Sequence, residues 1–135
     1  MSNEATVKEL YAAYSRGDVE AVMAKLTDDV VWESEGPAVL LSSGIRHGKA
    51  ETIGFFQGLA SSYNDPKLTI TEYVSSGDTV MTIGRFSATV KTTGRKWDTP
   101  IAHYWKFRDG LVAHYIGLAN TAGAVEAMQT SAAAH

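Results

Sequence analysis

The sequence has no cysteine. That excludes disulfide bridges, thiolate nucleophiles and cysteine-based zinc sites. Histidine is sparse, with four residues, and neither His-x-His nor His-Glu-x-x-His occurs. A metal needs about three converging ligands, so no metal is expected. There is no basic run or Lys/Arg stripe, and the formal net charge is −3, which argues against nucleic acid as a partner. No apolar run approaches the roughly 20 residues of a membrane-spanning helix. The N-terminal stretch MSNEATVKEL lacks the apolar stretch of a signal peptide. These absences predict a soluble, cytoplasmic protein with no membrane partner.

What is present is ordinary for a globular chain: 135 residues, 44% hydrophobic and 20% charged. That length allows one domain with one substantial core. No repeat, linker or boundary divides it, so a single domain over 1–135 is expected, with its core at 5–128.

Hydrophobic periodicity orders the elements. Val7, Leu10, Tyr11 and Tyr14 sit at helical spacing over 4–16, and Gly17 is a helix terminator. Asp18 caps a second short helix that carries Val19, Val22, Met23 and Leu26 on one face. Thr27-Asp28-Asp29 breaks it, and Val30–Glu33 reads as a first strand. SEGPAVLLSSGIRHG reads as a long loop over 35–48. A third helix follows over 49–62, with Ile53, Phe56, Leu59 and Ala60 predicted buried. Strands are predicted over 68–74, 79–92, 96–108 and 111–119, joined by SSGD, TG and DG turns. A short closing helix is predicted over 120–128, and TSAAAH reads as a frayed end. Strands of about 13 residues exceed the usual length and tend to bend. The pattern predicts an α+β cone in which three N-terminal helices pack on a strongly curved, mostly antiparallel sheet around an open-mouthed pocket.

Within PIAHYWKFRDG, Ile101, His103, Trp105 and Phe107 share one strand face. His103 is its single titratable ring. Burial would lower its pKa and leave a neutral base or hydrogen-bond donor near neutrality; the plainer alternative is a core histidine bonded to a backbone carbonyl or a tyrosine.

The segments YAAYSRGDVEAVMAKLTDDVVW, GIRHGKAETIGFF and TGRKW…AHYWKFRDGLV give the chain, over 5–128, a resemblance to the nuclear transport factor 2-like superfamily, in its SnoaL-like branch near ketosteroid isomerase. The resemblance implies a cone-shaped α+β fold. It places His103 on the pocket wall, where ketosteroid isomerase keeps an oxyanion-binding aspartic acid. The isomerase base position falls on Ser34 and its tyrosine on Leu10, so all three positions differ. Epoxide hydrolases of the superfamily need an Asp-Arg-Asp set. Arg108-Asp109 is the one adjacent pair of that kind on the late strands, and it reads as turn chemistry. SnoaL-type cyclases use an aspartate and a histidine; the aspartate position is Asn120 here, which cannot exchange a proton and alternatively caps the last helix.

On this basis the residues expected to carry catalysis are His103, Tyr14 and Glu35. Glu33 is a weaker alternative to Glu35, and both also read as solvated positions. Trp32, Ser34, Phe55 and Phe56 are expected against a ligand, as are Phe86, Trp105, Tyr115 and Asn120. Aromatic walls with few polar groups suit a flat, mostly apolar ligand. His114, out of phase with Tyr115, is expected to face away; His47 reads as a helix-start residue and His135 as tail. Two functions stay open. One is a cofactor-independent isomerase, cyclase or dehydratase acting on a small hydrophobic carbonyl compound. The other is a non-catalytic small-molecule-binding or dimerisation module. Either is expected to form a homodimer through the outer sheet face, where Ala102 and Tyr104 lie.

Overall fold

The structure, a computed structural model, describes residues 2–129. The predicted fraying of TSAAAH and the reading of His135 lie outside those residues. Helix α1 (Asn3–Ser15) starts where the Ser2 hydroxyl accepts from the Ala5 N–H at 3.1 Å. It buries Val7, Leu10 and Ala13 and ends at Gly17, whose φ of +73° suits glycine. Asp18 caps α2 (Val19–Met23) by accepting from the Ala21 N–H.

Leu26 does not continue the face of α2. It opens strand β1 (Leu26–Ser34), and Thr27-Asp28-Asp29 lie inside the strand rather than ahead of it. The physical reason is a slip in pairing between Leu26 and Val31. The irregularity lets both aspartates face water, and Asp29 accepts from the Arg108 guanidinium. The predicted loop over 35–48 likewise contains a short strand, β2 (Gly44–His47), paired antiparallel with the end of β1. Helix α3 (Gly48–Ser62) buries Phe56 as expected. Ile53 and Ala60 are exposed, and Thr52 and Gly58 are buried in their place. The buried stripe follows Thr52, Phe56 and Gly58 because Gly58 meets the loop: a Cβ there would come 2.7 Å from the Leu41 carbonyl oxygen.

Strand β3 (Tyr63–Ser76) is longer than predicted and runs through Asp65-Pro66. It is an edge strand, where proline removes no needed ladder bond. A bulge between Asn64 and Lys67 absorbs Asp65, whose φ is +53°. Strand β4 (Thr79–Val90) ends two residues before Thr92. β5 (Lys96–Arg108) and β6 (Leu111–Ala119) match their predicted limits. They are joined by Asp109-Gly110 with positive φ at both residues, the geometry of a tight hairpin turn. Asn120 caps α4 (Thr121–Ala127).

The six strands form one mixed sheet in the order β2-β1-β6-β5-β4-β3. β3 to β6 are the expected antiparallel meander, and β1 adds to β6 in parallel. Of the four helices among the described residues, three precede the meander and α4 follows it. Alternation along β4, and along β5 on either side of the half-buried Ala102–Tyr104, separates the faces: Val80, Thr82, Phe86, Ile101, Trp105 and Phe107 are inside, while Met81, Ile83, Lys106 and Arg108 are outside. The inner face carries two core clusters. One gathers α1, α2 and Trp32 against Trp105 and Phe107; the other gathers α4 against Phe86, Trp97 and Ile101.

Gly84 lies opposite Ile70 beside the second β3 bulge, and a Cβ there would overlap the Thr69 carbonyl oxygen. Backbone cannot yield as a flexible side chain does. Gly84→Ala is therefore expected to lower stability by about 1–3 kcal/mol, read as a fall in the urea midpoint; an unchanged midpoint would show that β3 shifts freely.

Candidate functional site

Both clusters border a cavity of about 120 Å³ on the inner face of the sheet. A dry cavity of roughly 150 Å³ is enough for a benzene ring, so the space is of single-ring scale. Its walls come from α1 (Leu10, Tyr11, Tyr14), α3 (Phe55, Phe56) and the inner rows of β1, β4, β5 and β6. The loop after β1 closes one side with Leu40, which is buried. That loop is tied by its own backbone. Arg46 donates to the carbonyls of Leu41, Ser42 and Ser43 at 2.9–3.2 Å, and the Ser43 hydroxyl donates to those of Pro37 or Leu40.

The aromatic wall is densely packed. Trp32 stacks on Tyr115 with ring centres 3.9 Å apart, and Trp105 lies 4.7 Å from Tyr115. Phe55 and Phe56 cover the other side of Trp32's neighbourhood at about 5.5 Å. Gly117 is required here, because the Tyr115 hydroxyl occupies the space that a Cβ would take.

His103 is the imidazole of this wall, half-buried and lining the cavity. Its Nδ1 lies 2.7 Å from the Tyr11 hydroxyl. The same hydroxyl lies 2.6 Å from the Thr82 hydroxyl and accepts from Trp105 Nε1–H at 3.2 Å. One phenol thus joins α1 to β4 and β5. Burial pushes the His103 pKa down from 6.5 to about 3, so the ring is neutral. Burial likewise raises Tyr14 to about 12 and lifts Tyr11 and Tyr115, so all three phenols keep their protons.

Tyr14, Glu35, Trp32, Ser34, Phe55 and Phe56 all line the cavity, as do Phe86, Trp105 and Tyr115. Glu35 is exposed and is the cavity's carboxylate. Asn120 departs from its expected place against a ligand. Its side chain accepts from the Gly123 N–H, its N–H donates to Thr99, and its carbonyl accepts from Trp97 Nε1–H, so it is spent on joining α4 to β5. Glu33 and His114 sit on the outer face, bonded to each other at 2.8 Å. His47 is the residue before α3, and its N–H donates to Glu51. Among the described residues no group of three His, Asp or Glu converges as a metal would need, and no helix is long and apolar enough to cross a membrane.

The sequence reading allowed a tyrosine partner for His103 without assigning it to Tyr11, and it passed over Thr82. Tyr11 was visible only as one of several apolar-phase residues on α1. Thr82 had a clearer signal, a polar residue in the inward phase of β4, between Val80 and Gly84.

The description of the SnoaL-like domain matches residues 7–115. The chain belongs to this SnoaL-like family, within the nuclear transport factor 2-like fold. Among solved structures, a nuclear transport factor 2-like protein of unknown function from Burkholderia pseudomallei is similar at 28% identity and TM-score 0.89, covering 96% of this chain and 100% of that one. Another from Burkholderia thailandensis is similar at 26% identity and TM-score 0.88, covering 96% and 98%. TerC, co-crystallized with polyporic acid, shares the fold at 22% identity and TM-score 0.84, covering 92% and 95%. No curated protein matches the chain significantly.

The lowered His103 pKa has a definite sign for stability. The unfolded chain takes up the proton near pH 6.5 and the folded protein only near pH 3. Stability is therefore lost as pH falls through that window. Relative to His103→Gln, the wild type is expected to lose about 1 kcal/mol more between pH 7.5 and 5.5. Urea unfolding of both proteins at the two pH values measures this, and parallel losses would show that His103 is not buried neutral.

Proposed function

We propose that the protein binds a small, mostly apolar carbonyl compound in this cavity and transforms it by acid–base chemistry of the isomerase or cyclase type, without a cofactor. The observation that carries this reading is that His103 and Glu35 both line one mostly apolar cavity. A neutral imidazole inside the cavity can meet the substrate's carbonyl oxygen. An exposed carboxylate at its edge can take the α-proton. The carbonyl oxygen then carries the enolate charge, and the proton returns at another carbon or the enolate carbon attacks an electrophile within the same molecule. TerC, of the same fold, was crystallized with a small molecule, which fits a ligand-holding role.

A second reading is a non-catalytic binding module. It is favoured by the partner of His103 Nδ1, which is a tyrosine rather than a carboxylate, and by Asn120 standing where the resemblance expects an aspartate. Exchange of the α-hydrogens of acetophenone in D2O, followed by NMR, separates the two. Catalysis predicts accelerated exchange that falls by about 100-fold or more in Glu35→Gln. No exchange across small ketones, together with a co-purifying small molecule recovered unchanged, would favour binding alone.

We also propose that two copies pair through the outer sheet face. Met81, Ile83 and Leu118 are about half exposed there. Register places Met81 beside Tyr104 and Ile116, and Ile83 beside Ala102 and Leu118, as two adjoining apolar rows. Arg85, Asp98 and Lys106 give the patch a polar margin. Light scattering is expected to show a dimer that Ile83→Arg with Leu118→Arg converts to a folded monomer. A wild-type monomer at high concentration would refute the pairing.

A further inference from the structure

We infer that His103 is held in one tautomer, with its hydrogen on Nε2, so that it faces the ligand as a hydrogen-bond donor and selects ligands presenting an acceptor oxygen. The inference rests on the ligand-binding reading above for its second half only.

The argument is a count of protons around the Tyr11 hydroxyl. Trp105 Nε1 has a hydrogen and no lone pair to offer, so its bond to Tyr11 is donated. Thr82 is 1% exposed, and Tyr11 is the hydrogen-bond partner of its hydroxyl among the described residues. If Thr82 accepted from Tyr11, its own buried proton would be left without a partner, which folded proteins avoid. Thr82 therefore donates. Tyr11 now accepts two bonds, which fills its oxygen, and its single proton remains for the third neighbour, His103 Nδ1. Nδ1 must then be a bare lone pair. The hydrogen of the neutral ring sits on Nε2, for which no protein partner is seen among the described residues on this cavity-lining residue.

The rest of the cavity points to the same ligand chemistry. The hydroxyls of Tyr14 and Tyr115 keep their protons there as well. Against these donors stands one carboxylate, Glu35, at the exposed edge. The Nε2–H of His103 on this wall favours a carbonyl or enolate oxygen. It also divides the roles: His103 holds the oxygen, and the proton acceptor is another group. Tyr11 and Thr82 touch no ligand in this scheme; they are positioning residues that fix the tautomer.

Two measurements test this. In protein with ¹⁵N-labelled histidine, long-range ¹H–¹⁵N spectra between pH 5.5 and 8 are expected to show His103 Nε2 protonated and Nδ1 unprotonated. In Tyr11→Phe the Nδ1 resonance moves toward that of an unbonded lone pair. A protonated Nδ1, or an Nδ1 shift unchanged in Tyr11→Phe, would overturn the assignment with no ligand involved. The second measurement compares acetophenone with α-methylstyrene, which has the same shape with CH₂ in place of the oxygen. The wild type is expected to bind the ketone about tenfold more tightly, and His103→Phe to bind both alike. Equal binding of both by the wild type would overturn the selectivity. Binding of neither, with the tautomer as assigned, would instead count against the single-ring carbonyl reading of the cavity.

Discussion

The Tyr11 hydroxyl is the point on which the inner face depends. It is a polar atom in an apolar interior, and such an atom is tolerated only when its bonds are made. Here three partners from β4 and β5 make them. The requirement fixes how α1 lies over the sheet, because a helix turned away from that position would leave a phenol, a threonine hydroxyl and an indole N–H unpaired together. Packing alone would leave α1 more freedom: its apolar face of Val7, Leu10 and Ala13 could slide along a greasy surface at modest cost. Polar bonds convert a greasy contact into a defined one. The site's chemistry and the helix's position are consequences of the same atom.

The sheet supplies the complementary constraint. Long strands are poor at staying flat, and this sheet departs from regular pairing at several points in β1, β3 and β5. Those irregularities are where charged or conformationally awkward residues are accommodated: Asp28 and Asp29 in β1, Asp65-Pro66 in β3. Between them the ladders are regular. The regular stretch of β5 around His103, paired with Thr82 on one side and Gly117 on the other, is what holds the imidazole at a fixed depth in the wall.

Much of this was legible from residue pattern. The alternation in β4, β5 and β6 announced inward faces and, for β5 and β6, strand limits, and two hairpins carried their turn residues openly. The DG turn was readable because only a few residue types accept positive φ. What was hidden had non-local causes. Nothing in Thr27-Asp28-Asp29 shows that a strand partner will tolerate a slip there, and nothing in GIRH shows that β1 has a free edge to offer it. Ile53 and Ala60 fit the helical period of α3, yet the buried stripe is set by where the loop backbone meets Gly58. At the candidate site, aromatic wall residues were found by phase, but Tyr11 is held by partners 71 to 94 residues away and Asn120 by partners 21 and 23 residues away, which a linear pattern does not record. Tyr11 bonds to β4 and β5; Asn120 is claimed by Thr99, Trp97 and its own helix.

The loop over the cavity is held almost wholly by main-chain carbonyls, gathered by one guanidinium and one serine hydroxyl. Its path is thus indifferent to most of the side chains it carries. Leu40 projects inward onto the cavity, while Ala38, Val39 and Leu41 project outward, and those three can be exchanged without undoing the scaffold beneath. That separation of shape from side-chain identity makes this segment the cheapest place for mutation to try new ligands. Related sequences under different selection could diverge in specificity here first, while the phenol-centred wall behind them stays as it is.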